Sequence, residues 1–299
     1  MLAMAKTAST KTKTKKQESP LIIPNTTIEI TFSWAEVSSE YKKVLTRLAK
    51  RLSIPGFRKG TVPTAVAEEQ LDTQVVVEQT LQKLLPERYT AEISKQKKRP
   101  LTTPDFRLVS SGKNQDWVIE ANIAEKPEFS MPGYKPVVKQ ALKDAVAAIA
   151  KEKTKPKEQE QDTIKLQIIY GKLAEKYRPQ VPELLIKREI EHDMEQMRKQ
   201  LKQLNVTLQD YIKRNNLTEE AFSQQVTVRA LTRLQSIFIT DAVAKSEKIT
   251  IDQQTIDAHI DALPDADFGK KQRNNPDYRA SLHQTLFTQA VHKKLLSLS

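Results

Sequence analysis

Apolar residues recur along the chain with two different periods. Residues 27–32, Thr-Ile-Glu-Ile-Thr-Phe, alternate polar and apolar side chains, the period of a strand with one face on a core. Ser33 follows as a good N-cap, and Glu36 three residues later completes a capping-box pattern. The helix this opens puts Val37, Tyr41, Val44, Leu48 and Leu52 on one stripe and Lys43, Arg47 and Lys50 on another face. A second helical region carries Val66, Leu71, Val75, Leu81, Leu84, Leu85 and Tyr89. It is expected to break near Asp72 and to kink at Pro86, where proline removes a backbone donor. Lys95, Lys97, Lys98 and Arg99 suit the negative end of that helix. Two more strands fit 105–110 and 117–124, separated by the turn residues 111–114. Strand, helix, loop, helix, strand, strand predicts an α+β domain over residues 21–133.

From residue 161 onward the period is helical throughout. Ile164, Ile168, Leu173 and Tyr177 mark one helix, ended by Arg178 and Pro179. Pro182 stands where a first-turn proline is welcome, ahead of a long helix in which Ile190, Met194, Met197, Leu201 and Leu204 follow 4-3-4-3 spacing. Further helices are expected over 208–214, 219–245 with Thr218 as N-cap, 252–263 and 276–298. An all-α domain is thus predicted over 161–299. Between the two, Pro127, Pro132 and Pro136, a short Ala-rich helix and the charged run 151–158 read as an exposed linker over 134–160. Residues 1–20, rich in Lys and Thr and nearly free of large apolar groups, read as a disordered basic tail.

With 299 residues, two or three domains are expected. A chain 38% hydrophobic and 29% charged but only 6% aromatic suits long amphipathic helices with much exposed surface better than a compact enzyme. The net charge of +12 favours an acidic or nucleic-acid-bearing partner. There is no cysteine, which excludes disulfides, thiolate metal sites and thiol redox chemistry. The N-terminal residues lack the apolar core of a signal peptide, and no apolar run approaches the roughly 20 residues that span a bilayer, so cytoplasmic residence without membrane contact is the expectation. His192, His259, His283 and His292 stand at no metal-ligand spacing. His192 and Asp193, as adjacent helical residues, diverge rather than face each other. Glu68 and Glu69, and Asp265 and Asp267, read as cap or surface charges. No phosphate-binding G-x-x-x-x-G-K-[ST] loop occurs, so neither a cofactor nor ATP-driven work is expected.

The most distinctive stretch is 51–63, Arg-Leu-Ser-Ile-Pro-Gly-Phe-Arg-Lys-Gly-Thr-Val-Pro. Gly56 and Gly60 bracket Phe57, Arg58 and Lys59, and Pro55 and Pro63 flank the turn, which predicts a tight, shaped loop. Residues 41–67 hold Lys42, Lys43, Arg47, Lys50, Arg51, Arg58 and Lys59 and no acid. Such a field attracts phosphate or carboxylate-rich surfaces. The residues alone leave two readings: a solvated basic face with Phe57 tucked into the core, or an exposed anion-seeking tip.

The run 56–63, Gly-Phe-Arg-Lys-Gly-Thr-Val-Pro, resembles the G-F-R-x-G-x-x-P signature of trigger factor, the bacterial chaperone that docks beside the ribosomal exit tunnel. The helical part is similar in layout to the C-terminal domain that trigger factor shares with the periplasmic chaperone SurA. The resemblance implies a ribosome-binding α+β domain followed by an all-α chaperone domain with arms. It implicates Gly56, Phe57, Arg58, Lys59, Gly60 and Pro63, with Lys43, Arg47 and Lys50 beside them, in contacts with a tunnel-exit protein and ribosomal RNA of the large subunit. Its other implied partners are nascent or unfolded polypeptides, and a homodimer when off the ribosome stays open. The sequence departs from the family in one respect. Trigger factors carry a Gly- and aromatic-rich prolyl-isomerase domain after the first domain, yet between Gly133 and Pro182 there is one glycine, Gly171, and no Phe or Trp. The isomerase domain, and hence enzymatic activity, is expected to be missing.

Met194, Met197, Leu201 and Leu204 have two readings as well: the seam between packed helices, or leftover apolar surface that holds client chains weakly. Three functions remain: a ribosome-docked, ATP-independent chaperone; a ribosome-independent chaperone or assembly factor for specific folded basic proteins; and a plain RNA-binding protein, disfavoured by the lack of interleaved surface aromatics.

Overall fold

The computed structural model describes residues 20–151 and 156–298. The expected basic tail, apart from Pro20, and half of the charged run in the expected linker, residues 152–155, lie outside the described residues.

The chain opens with a two-residue strand, β1 (Ile22–Ile23), followed by β2 (Thr26–Phe32). In β2 the alternation works as its period requires: Ile28, Ile30 and Phe32 are buried, while Thr27, Glu29 and Thr31 are exposed. Helix α1 (Trp34–Ala49) starts on the predicted capping box, with the Ser33 side chain and the Glu36 carboxylate each accepting from the other's backbone. Two helices, α2 (Thr64–Gln70) and α3 (Thr73–Lys95), follow, separated by the Asp72 N-cap; Pro86 lies within α3. Strands β3 (Asp105–Ser110) and β4 (Trp117–Ile123) complete an antiparallel sheet of order β2-β4-β3. Ile30 faces Ile119 and Phe32 faces Trp117 across β2 and β4, and α1 and α3 close this core with Val37 and Val77.

The segment read as an exposed linker is corrected by the structure over its first half. Tyr134–Ile149 is a helix, α4, whose Val138, Ala141, Leu142 and Ala145 are buried. Their spacing makes one apolar stripe, which packs on Ile169 and Leu173 of α5 (Glu158–Tyr177). Helices α4 and α5 therefore pack together inside the second core.

After the two-residue strand β5 (Val181–Pro182), α6 (Glu183–Gln203), α7 (Leu208–Arg214) and α8 (Glu219–Glu247) follow. The C-terminal half of α8 returns to the second core, where Ile239 and Val243 meet α4 and α5. Its N-terminal half forms an arm with α6 and α7, closed by Ile212, Phe222 and Val226. A second arm holds α9 (Gln253–Asp261), α10 (Ala266–Arg273) and α11 (Pro276–Leu296), with Ile256, Ile260 and Leu286 at its centre. The periodicity does not predict α10; Asp265, read as a cap or surface charge, is its N-cap.

The α+β unit joins the helical unit through its first residues. β1 pairs in parallel with β5, and the Asn25 side chain accepts from the Leu184 amide, supplying from a distance the cap that Pro182 cannot provide to α6. Ion pairs from Lys187 to Asp105 and from Lys126 to Asp241 add to the junction. None of the helices among the described residues is long and apolar enough to cross a membrane.

Candidate docking loop and helical arms

The loop that follows α1 is built from two successive turns. The Phe57 amide donates to the Ile54 carbonyl at 3.1 Å, with Gly56 at φ +87° in the third position. The Thr61 amide donates to the Arg58 carbonyl at 3.0 Å, with Gly60 at φ +90° in the same role. A positive φ at the third turn position is the geometry that glycine reaches without steric cost, and Pro55 presets the second position of the first turn. The Thr61 hydroxyl also donates to the Arg58 carbonyl at 2.7 Å. Phe57 thus closes the first turn, and Arg58 and Lys59 open the second.

The base of the loop is apolar. Ile54 and Leu52 on one side and Val62 on the other pack against Ala49 and Ala67, joining α1 and α2 beneath the tip. Val44, Leu45 and Val76 carry this packing on between α1 and α3. A continuous apolar path therefore runs from the sheet to the foot of the loop, while the tip projects from it. Phe57 is 40% exposed, so it is not tucked into the core. An exposed phenyl ring beside two cations is a poor outcome for folding alone, since its burial would stabilise the fold.

The cations of this region are largely unpaired. Arg58, Lys59, Lys50, Arg51 and Lys42 make no ion pair among the described residues. Lys43 pairs with Glu40 at 3.1 Å, and Arg47 donates to Gln79 Oε1 at 3.0 Å. Lys42, Lys43, Arg47 and Lys50 line one shallow hollow on the exposed side of α1. The nearby acid, Glu68, is turned elsewhere: it accepts from Lys113 and from the Tyr41 hydroxyl. Burial, and then the Glu68 charge, raise the Tyr41 hydroxyl above the usual range for tyrosine. The arrangement presents a ring and a cationic strip with donors free to meet phosphate or carboxylate oxygens.

The apolar candidates of the first arm separate by burial. Met194 and Met197 pack against Ile212, Phe222 and Val226, and Leu201 is buried, whereas Leu204 is 70% exposed. The 4-3-4-3 stripe is the arm's internal seam through Leu201 and leaves it at the last position. Val228 on α8 and Val146 on α4 are exposed apolar residues that periodicity did not single out. The histidines remain scattered, and no group of three His, Asp or Glu residues able to hold a metal occurs among the described residues.

Comparison with known proteins bears on the same two units. The family described as "Bacterial trigger factor protein (TF)" matches residues 11–155, and "Bacterial trigger factor protein (TF) C-terminus" matches residues 141–296. The two matches meet inside the α4–α5 hairpin. Among curated proteins, trigger factor of Streptococcus sanguinis is 32% identical over 108 residues, 36% of this chain and 25% of the relative. Trigger factor of Carboxydothermus hydrogenoformans is 34% identical over 99 residues, 33% of this chain and 23% of the relative. Trigger factor of Streptococcus suis is 29% identical over 139 residues, which is 30% of its own length. The matches with these relatives thus span less than a third of each relative's length. A solved structure from work on promiscuous substrate recognition in folding and assembly activities of the trigger factor chaperone aligns with a TM-score of 0.55 at 13% identity, over 95% of this chain and 99% of that one. This last likeness is one of fold.

Proposed function

The chain belongs to the trigger factor family, and on that premise we propose that it is an ATP-independent cytoplasmic chaperone that docks on the large ribosomal subunit and shields nascent chains with its helical arms. The observation that carries the docking assignment is the tip itself: Phe57 exposed beside Arg58 and Lys59, at two glycine turns, with both cations meeting no acid among the described residues. A ring and two cations on a rigid tip suit a surface where protein meets RNA, because the ring finds apolar or stacking contact while the cations meet phosphates. Lys43, Arg47 and Lys50 extend the same cationic strip along α1. Of the client-binding candidates, Leu204 faces solvent, whereas Met194, Met197 and Leu201 give the arm its shape. Weak apolar holding suffices in such a protein, since tethering at the tunnel raises the local concentration of the client. The two family matches overlap over 141–155 and leave no stretch between them for a further domain, so no prolyl-isomerase activity is expected.

The test is co-sedimentation with ribosomes at low salt, comparing the natural chain with a Phe57→Ala, Arg58→Ala, Lys59→Ala triple variant. Loss of the ribosome-bound fraction, with unchanged thermal unfolding, is the expected result. Undiminished binding by a folded triple variant would refute the docking assignment. The ribosome-independent reading takes support from the assembly activity named for the structurally similar protein. It would be favoured if the natural chain purified with folded basic proteins and no ribosomes.

A further inference from the structure

Strand β3 is at one edge of the sheet, and its outer side pairs with no strand among the described residues. Phe106 faces Ala121 and Leu108 faces Ile119 across β3 and β4, so both side chains belong to the core face of the sheet. Helix α3 packs into that face with Val77, against residues of β2 and β4, and meets β3 through the Tyr89 ring. Phe106 and Leu108 are left 40% and 41% exposed, in contrast with the fully buried Ala121 and Ile119 opposite them. What remains is a groove of about 680 Å³ between α3 and β3, walled by Val77, Leu81 and Leu85 on the helix and by Phe106, Leu108 and Ile119 on the sheet. The Tyr89 ring closes one end edge-on against Phe106 at 5.4 Å.

We propose that the open edge of β3 and the groove beside it accept an extended apolar segment of an unfolded polypeptide as an added strand. A strand laid along β3 would satisfy its outward backbone groups. Every second side chain of that strand would fall on the core face beside Phe106 and Leu108, which is the arrangement used in strand-addition recognition. The charged residue on the groove wall is Glu78, so an apolar segment with a basic flank fits better than an acidic one. A second copy of this chain fits worse. The edge is interrupted by a bulge between Leu108 and Ser110, and its first residue, Asp105, is held by Lys187 of α6. The few residues that remain bury far less than the roughly 800 Å² per partner of a stable dimer. The inference rests on the chaperone reading for the nature of the occupant, though the site is argued from the strand alone.

The test uses the full chain and a labelled ten-residue peptide alternating Ile or Phe with Thr and ending in two Lys, followed by fluorescence anisotropy. Binding is expected, with a loss of about tenfold or more in Leu108→Lys, which changes an exposed position, and in Gln82→Trp, which fills the groove from the helix side. The same peptide N-methylated at alternate amides should fail to bind, because strand addition needs its backbone donors. Unchanged affinity in both folded variants, or full binding of the methylated peptide, would overturn the proposal. So would a concentration-dependent dimer by sedimentation that Leu108→Lys abolishes. Suppression of aggregation of a denatured protein separates the two readings. Suppression that survives in variants whose peptide affinity is also unchanged sinks this site and spares the chaperone assignment. Peptide binding at β3 by a chain that suppresses nothing does the reverse.

Discussion

Glu247, the last residue of α8, ties the helical unit together, and its removal has a calculable effect. Its carboxylate accepts from the Tyr134 hydroxyl at 2.8 Å and pairs with Lys135 at 2.8 Å and Lys294 at 3.1 Å, joining α4, α8 and α11. The side chain is only 10% exposed, and these partners, Lys135 foremost, hold its pKa at about 2 instead of 4.5. At about 1.4 kcal/mol per pKa unit the difference corresponds to a ceiling of about 3 kcal/mol. Both lysines reach solvent, at 51% and 41% exposure, and screening lowers the net value to roughly 1 to 2 kcal/mol. Glu247→Gln keeps an acceptor for Tyr134 and removes the charge. At pH 7 it should lower the melting temperature of the helical unit, followed by far-UV circular dichroism, by roughly 3 to 6 °C.

The pH dependence has a definite sign. The folded pKa lies below the unfolded value, so the contribution is complete above about pH 4.5 and is lost as pH falls toward 2. The gap between the natural chain and Glu247→Gln should therefore close over that window. The two tryptophans, Trp34 and Trp117, sit in the other core, and their emission should report a smaller change. Equal melting temperatures at pH 7, or a gap that persists undiminished near pH 2.5, would refute the reasoning.

Four further outcomes are expected. Gly56→Ala or Gly60→Ala imposes a side chain at φ near +90°, costing about 1 to 2 kcal/mol; ribosome co-sedimentation should weaken in a chain that still folds, with a melting temperature lower by a few degrees. Ser33→Ala removes one side of the capping box and should lower stability by about 1 kcal/mol, read as an earlier urea midpoint in tryptophan fluorescence. Leu201→Ala opens the seam of the first arm and should cost about 2 to 5 kcal/mol and expose α7 to proteolysis. Leu204→Ala should leave stability within about 0.5 kcal/mol and reduce suppression of aggregation; similar proteolysis of the two variants would contradict their assignment to seam and surface.

Wherever a few neighbouring residues decide the outcome, the chain was readable in advance. The alternation of β2, the Ser33–Glu36 box and the breaks at Asp72 and Arg178 depend on contacts within a turn or two. The loop from Ile54 to Thr61 belongs with them, because glycine and proline dihedrals shape it and its motif is contiguous. Helix α4 was legible in principle: Val138, Ala141, Leu142 and Ala145 carry a helical period, masked by the prolines before it and the lysines around it. Strands of two residues, such as β1 and β5, are too short to carry any period, and α10 has too few apolar residues to carry one.

The sequence by itself determined the two-part layout, the shape of the loop and the sign of its charge, because backbone preferences and charge are properties of the residues and their near neighbours. Only the tertiary structure decided which of chemically equal residues meet water. Phe32 is buried and Phe57 is not; Leu201 is buried and Leu204 is not; Phe106 and Leu108 share the core face of the sheet with Ile119 and yet stay exposed. It also brought Asn25 to the start of α6 and Tyr134 to Glu247, 113 residues away. Burial and pairing of this kind depend on which distant elements pack together, and a local period holds no record of that.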